Sequence, residues 1–193
     1  MKRVNQHDQK SEATAEPALA LIECASIALG FGVADAIVKK APVRLLRAQT
    51  CSPGKFLVLY AGDVASVAEA HAAGIDAAGA ALIDEVFLPG AHPDLLRSLQ
   101  GQTAVSTLDS YGIIETFSLA TAILAADIAV KATPVIILEL RIPVGTGGKS
   151  FVSLTGTLED LQVSLEQALE RIRPSGMLCQ HLIIPNPHED LQS

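Results

Sequence analysis

Tryptophan is absent from this chain, and only seven of its 193 residues are aromatic, five Phe and two Tyr. A core with so few large rings must close on small aliphatic side chains at short range. Cysteine is scarce: Cys24, Cys51 and Cys179 form no CxxC pair, which excludes a disulfide scaffold and a zinc knuckle. Basic residues are outnumbered, 14 Lys and Arg against 21 Asp and Glu, for a net charge of −7, so a nucleic-acid footprint is missing. Long apolar runs are missing too. The strongest, Thr116 to Ala126, stops at Asp127, well short of the ~20 residues a bilayer span needs. The opening MKRVNQHDQKSEATAEP has no apolar core of a secretory signal. No membrane and no nucleic-acid partner are expected, and a reducing, cytoplasmic location is.

What the chain does have is apolar content, 49% against 18% charged, with a mean hydropathy of +0.36. That is a globular composition and not a disordered one. It also has an internal repeat. Residues 20–46 laid over 112–138 match at Ile22/Ile114, Glu23/Glu115, Ser26/Ser118, Ala28/Ala120, Ala34/Ala126, Asp35/Asp127, Lys39/Lys131, Pro42/Pro134, Val43/Val135 and Leu46/Leu138. Farther on, the register slips by two, so that Gly54-Lys55 meets Gly148-Lys149, and then by two more, so that Pro89 and His92 meet Pro185 and His188. Slips confined to loops are what a duplicated unit accumulates. The chain therefore divides into a tail (1–17), a first copy (18–101), a linker (102–109) and a second copy (110–193).

Within a copy the pattern predicts strand, helix, strand, strand, helix, strand and a short closing helix. ALALIE is a short apolar run suited to a buried strand. Ile27, Phe31, Ala34, Val38 and Ala41 make a helical stripe expected to face inward, with Ser26 as N-cap and Asp35 and Lys39 paired on the outer face. The second copy repeats this with Leu119, Ile123, Ala126 and Val130 inward and Asp127 and Lys131 outward. VRLLRAQT and KFLVLYAG read as a hairpin around a Pro-Gly turn. In the helix over 63–79, the expected inner stripe is Val64, Ala68, His71, Ile75 and Ala78. The order βαββαβ is ferredoxin-like, an α+β arrangement with one antiparallel sheet and both helices on one face.

No Ser-His-Asp set, paired buried carboxylates or metal triad repeats with the duplication, so an enzyme is not expected. Glu23 and Glu115 read as structural carboxylates that accept loop N–H bonds, His92 and His188 as caps or packing residues, His71 as a core or interface residue, and Cys24 and Cys179 as core fillers. GGKS at 147–150 lacks the upstream glycine of a phosphate-binding P-loop.

The passage ALIECASIALGFGVADAIVKKA, the turn CSPGK before a β-run ending in AGD, and the terminal IPNPHEDL resemble the bacterial microcompartment (BMC) shell-protein domain. Their duplication resembles the tandem-domain, trimer-forming class of that family. The resemblance implies two BMC domains per chain and a homotrimer that closes as a pseudo-hexameric tile, packed among other shell proteins in a cytoplasmic microcompartment. It implies a central pore for small metabolites, lined by Cys51, Ser52, Pro53 and Gly54 of one loop and Val144, Gly145, Thr146, Gly147 and Gly148 of the other. Lys39 and Lys131, with His92 and His188, become edge residues; Gly90 and Asn186 stand where many members carry an edge Arg. No cofactor is expected of a plain tile. The resemblance also carries an alternative, an electron conduit in which Cys51 thiolates from three chains hold a 4Fe–4S cluster on the axis, although alignment on Pro53-Gly54-Lys55 puts Ser52 at the ligand position. A trimeric small-molecule-binding regulator of ferredoxin-like fold is the other reading.

Overall fold

The structure is a computed structural model that describes residues 17–102 and 109–192. The expected tail, apart from Pro17, and the middle of the expected linker, 103–108, lie outside the described residues. The first copy runs β1 (Ala18–Cys24), α1 (Ile27–Lys40), β2 (Arg44–Cys51), β3 (Lys55–Gly62), α2 (Val64–Ala78), β4 (Leu82–Leu88) and α3 (Pro93–Leu99). The second runs β5 (Ser110–Thr116), α4 (Leu119–Ala132), β6 (Ile136–Arg141), β7 (Ser150–Gly156), α5 (Leu158–Ile172) and β8 (Leu178–Ile184). Where the first copy has α3, the second has only a 3-10 turn, Glu189–Gln192. Each copy forms one four-stranded sheet, β2-β3-β1-β4 and β6-β7-β5-β8, with every pairing antiparallel. This is the expected α+β, βαββαβ fold, made twice.

The helices begin where the sequence provides caps. Ser26 Oγ accepts the Leu29 N–H at 3.3 Å, and Ser118 Oγ accepts that of Thr121 at 3.2 Å. Asp63 and Thr157 cap α2 and α5 in the same way, at 2.9 and 3.1 Å, each satisfying a donor the first helical turn leaves open. Small residues set the helix spacing. A Cβ built on Gly30 would stand 2.4 Å from the Phe56 side chain, and one on Gly74 would stand 2.6 Å from Ile22 Cδ1 and 2.9 Å from Ile37 Cγ1.

Strand β1 is buried along its whole length, and its two faces go to different places. Ala18, Ala20, Ile22 and Cys24 pack with Val33, Ile37, Phe56, Val58, Tyr60 and Val67, between the sheet and its own helices. Leu19 and Leu21 join a second cluster that holds Leu57, Leu59, Leu95 and Leu99 together with Leu119, Ala122, Ile123, Ala126 and Val130 of α4. The main core therefore crosses from one copy to the other.

That crossing corrects the expected helix faces. On α1 the buried residues are Gly30, Val33, Ala34 and Ile37, while Ile27, Phe31 and Val38, expected inward, are exposed. The helix is apolar on two faces, and the stripe chosen by spacing is the one its own sheet does not cover. On α4 both faces are buried, and so is Asp127, which was expected outward. The reason is tertiary: β4 and α3 of the first copy lie against it. On α2 the buried set is Val67, Ala70, His71, Gly74 and Ala78, with Val64 outside, a rotation of the expected stripe toward β1.

Candidate functional site

Two features gather the polar side chains: the seam between the copies and the paired loops at its end. In the seam, Glu23 projects from β1 toward the N-terminus of α4. Its Oε1 accepts the Ala120 N–H at 2.9 Å, and its Oε2 takes the Lys55 ammonium at 3.3 Å. Lys55 Nζ also donates to the Phe117 carbonyl, at 3.0 Å, so one lysine ties both copies. Burial raises the Glu23 pKa despite the opposing pull of the Ala120 N–H and of Lys55. Glu23 is a structural carboxylate as expected, but the N–H it accepts belongs to the first turn of α4 and not to a loop. Its repeat partner Glu115 instead pairs with Lys149 at 3.0 Å near the surface, and that bond holds its carboxyl below the usual range.

Farther along the seam, Asp84 Oδ2 accepts the hydroxyls of Ser118 and Thr121, the latter at 2.8 Å. Asp127 Oδ1 accepts the His92 N–H at 2.8 Å, and Lys131 bonds both Asp127 and the Gly90 carbonyl. His92 also caps α3, its Nδ1 accepting the Asp94 N–H at 3.2 Å. Lys131 and His92 thus serve the seam between the copies. Their repeat partners lie on the surface: Lys39 pairs with Asp35 on its own helix, at 2.7 Å, and His188 sits beside Asp190.

The two loops named from the sequence do come together. Ser52 N–H donates to the Pro143 carbonyl at 3.2 Å, and the Gly145 N–H reaches Ser52 Oγ at 3.5 Å. Gly145, Gly147 and Gly148 all have positive φ, which only glycine adopts without strain, and a Cβ on Gly148 would strike Pro53 Cδ at 2.9 Å. Pro53, Gly54, Val144, Gly145 and Gly147 are exposed, and Ser52 and Thr146 partly so.

Cys51 is different. It is 6% exposed and belongs to the core cluster. Burial first, then the nearby Glu23 carboxylate, push its thiol up to about 11, against the pull of Lys55. A side chain turned into the core does not fit the cluster-ligand role, and Ser52 takes the outward position one residue on. Cys24 is core filling as expected. Cys179 is only partly buried and shares the Lys149–Glu115 pair.

His71 links a buried hydroxyl to an exposed carboxylate. Its Nδ1 lies 2.6 Å from the Tyr60 hydroxyl and its Nε2 2.6 Å from Glu85. The hydrogen bond from His71 holds Glu85 below the usual carboxylate range, and burial, then the Glu85 charge, raise Tyr60. The sequence reading passed over Lys55 and Asp84. Lys55 had a signal, since it repeats as Lys149; Asp84 had none, because its counterpart is Gln180.

A family model for the BMC domain matches the chain twice, at residues 18–91 and 110–187. The chain belongs to the BMC-domain family of microcompartment shell proteins. It is 38% identical over 174 residues to bacterial microcompartment shell protein PduT of Citrobacter freundii, an overlap of 90% of this chain and 95% of that protein. A crystal structure of a microcompartment protein from Desulfitobacterium hafniense superposes with a TM-score of 0.82 at 41% identity, over 92% of this chain and 99% of that one. The fused permuted hexameric shell protein of an RMM microcompartment shares the fold, with a TM-score of 0.61 at 20% identity over 80% of this chain and 81% of that one. As a BMC shell protein the chain is structural and not an enzyme, and these relatives favour neither a regulator nor an electron conduit. Among the described residues, no helix is long and apolar enough to cross a membrane.

Proposed function

We propose that the chain is a homotrimeric tile of a microcompartment shell, closed as a pseudo-hexameric ring around a pore. The observation that carries this reading is the unequal burial of repeat-equivalent faces. Phe31 on α1 is 62% exposed, whereas Ile123, its counterpart on α4, is at 0%; for Val38 and Val130 the values are 43% and 8%. The face of α4 is covered by β4 and α3 of the first copy. On the second copy, the matching surface of β8 carries exposed Leu182, with exposed Leu191 in the turn beyond it. One chain thus has a bare donor face and a bare acceptor face related by the same step that joins its own copies. Repeating that step is a heterologous contact, which closes into a ring when its rotation divides a full turn.

In the ring, Glu115 and Lys149 stand against the start of α1 of the next copy as Glu23 and Lys55 stand against α4, and His188 approaches Asp35 as His92 approaches Asp127. The loops of 51–54 and 144–148 ring the axis, where Ser52, Thr146 and glycine N–H groups offer polar contacts to small metabolites. Lys39 and Lys131, with His92 and His188, belong to these seams, and their exposed parts would be what other shell proteins meet at the rim. Such compartments stand in the cytoplasm, and the tile works there by selective permeability, with no bond made or broken.

Native mass measurement with negative-stain microscopy tests the assembly. Three chains of 20.2 kDa give particles near 61 kDa with hexagonal outlines; a stable monomer overturns the reading.

A further inference from the structure

A cavity of about 370 Å³ opens on the seam between β2, the C-terminal end of α3 and β6, and reaches Val144 at the start of the second loop. Its polar lining comes from Arg47 and Gln49 on β2, from Glu139 and Arg141 on β6, and from Ser98 of α3, whose hydroxyl donates to the Leu95 carbonyl at 2.8 Å. The four strand residues hold the same register positions in the two copies. Arg47 pairs with Leu59 and Gln49 with Leu57 in the first sheet, while Glu139 pairs with Ser153 and Arg141 with Phe151 in the second. The duplication has diverged so that each copy contributes one guanidinium to a single cavity. Both are held in place. Arg47 donates to the Leu99 carbonyl at 2.9 Å, which answers the negative end of α3. Arg141 meets Glu139 at 2.6 Å and lies over the Phe151 ring, 5.8 Å from its centre.

A guanidinium has five donors in a planar fork, so each of these side chains keeps N–H groups beyond the bond that orients it. Among the described residues the only carboxylate in the lining is Glu139, which sets two cations against one anion inside a protein of net charge −7. Leu99, Leu138, Leu140 and Ile142 supply apolar walls. The volume matches a metabolite-sized ligand. Among the described residues α3 has no helical counterpart in the second copy, so this cavity is made within one chain.

We propose that the cavity is a binding site for a small hydroxylated organic anion. Arg141 and Arg47 grip its phosphate or carboxylate group, while Gln49 and the Glu139 carboxylate meet its hydroxyls. This site goes beyond the tile reading: it borders the loop at Val144, but all of its lining comes from one chain.

Isothermal titration calorimetry on the full chain tests it with glycerol 3-phosphate and malate as separate probes and glycerol as the neutral control. At least one anion is expected to bind once per chain and glycerol not at all; the two anion arms tell a phosphate from a carboxylate ligand. Arg141→Gln is expected to weaken binding about tenfold or more, the scale of a lost charge-assisted fork. Arg141→Lys, which keeps the charge and loses the fork, is expected to fall between. Glu139→Gln is expected to tighten binding, because it removes the carboxylate that competes for Arg141, an effect that a merely structural ion pair does not produce. All variants are to match the wild type in mass and circular dichroism. Wild-type protein that binds neither anion, equal affinity in Arg141→Gln, glycerol binding as tight as the anions, or weaker binding in Glu139→Gln overturns the proposal. A monomer that still binds the anions sinks the ring and leaves this site standing; a trimer blind to them does the reverse.

Discussion

Glu23 and Lys55 show how much a single charge pair can be asked to do in a seam. Glu23 is fully buried and Lys55 nearly so, and removing one partner of such a pair strands the other. Lys55→Met is therefore expected to destabilise the chain by roughly 3–5 kcal/mol in chemical denaturation at neutral pH. Burial raises the Glu23 pKa, so the folded state binds its proton more readily than the unfolded chain does. The stranded carboxylate then costs more as pH rises from the ordinary carboxylate range through the raised value, and the penalty fades in acid. Adding Glu23→Gln, which still accepts the Ala120 N–H, is expected to recover most of the loss and flatten the pH dependence. His71 makes a second case. His71→Leu leaves the Tyr60 hydroxyl buried without its partner, at about 1–3 kcal/mol. The pair Tyr60→Phe with His71→Leu, which approaches the Leu154 and Leu165 of the second copy, is expected to cost less than the single change in the same denaturation assay.

Among the elements, α1 and α4 descend from one pattern and end in different surroundings. Both were legible as helices with serine caps, because capping and 3.6-residue spacing are local. Which face turns inward was not, because alanine and glycine make α1 apolar nearly all round, and α4 is enclosed by a neighbour no spacing reveals. The glycines separate the two kinds of constraint. Gly74→Ala drives a methyl into Ile22 and Ile37 and is expected to lower stability by about 1–3 kcal/mol. On the open face of α1, a Cβ on Gly32 meets nothing within 4 Å, so Gly32→Ala is expected to raise stability by up to about 1 kcal/mol through helix propensity. Thermal melts of the two variants should move in opposite directions.

For the molecule as a whole, the exposed face of α1 is the point on which assembly turns. Phe31→Asp places a charge where Ile123 sits buried in the repeat-equivalent seam. The variant is expected to sediment as a single 20.2 kDa chain with wild-type circular dichroism, because Phe31 itself is mostly outside the core. A trimer that survives Phe31→Asp in sedimentation speaks against the proposed contact.

The duplication, the βαββαβ order and the helix caps can be read from the amino acids, because each rests on local spacing or on similarity of one stretch to another; that the two loops face each other was only what the family resemblance implied. The folded chain had to settle the rest. It turned Cys51 inward and left Ser52 at the loop, drew Asp127 under a neighbouring copy, joined Lys55 to both halves and put Arg47 and Arg141 around one cavity. Those outcomes depend on how two related but diverged units pack against each other. Packing of that kind is set by shapes and charges from segments some ninety residues apart, which no single stretch of sequence contains.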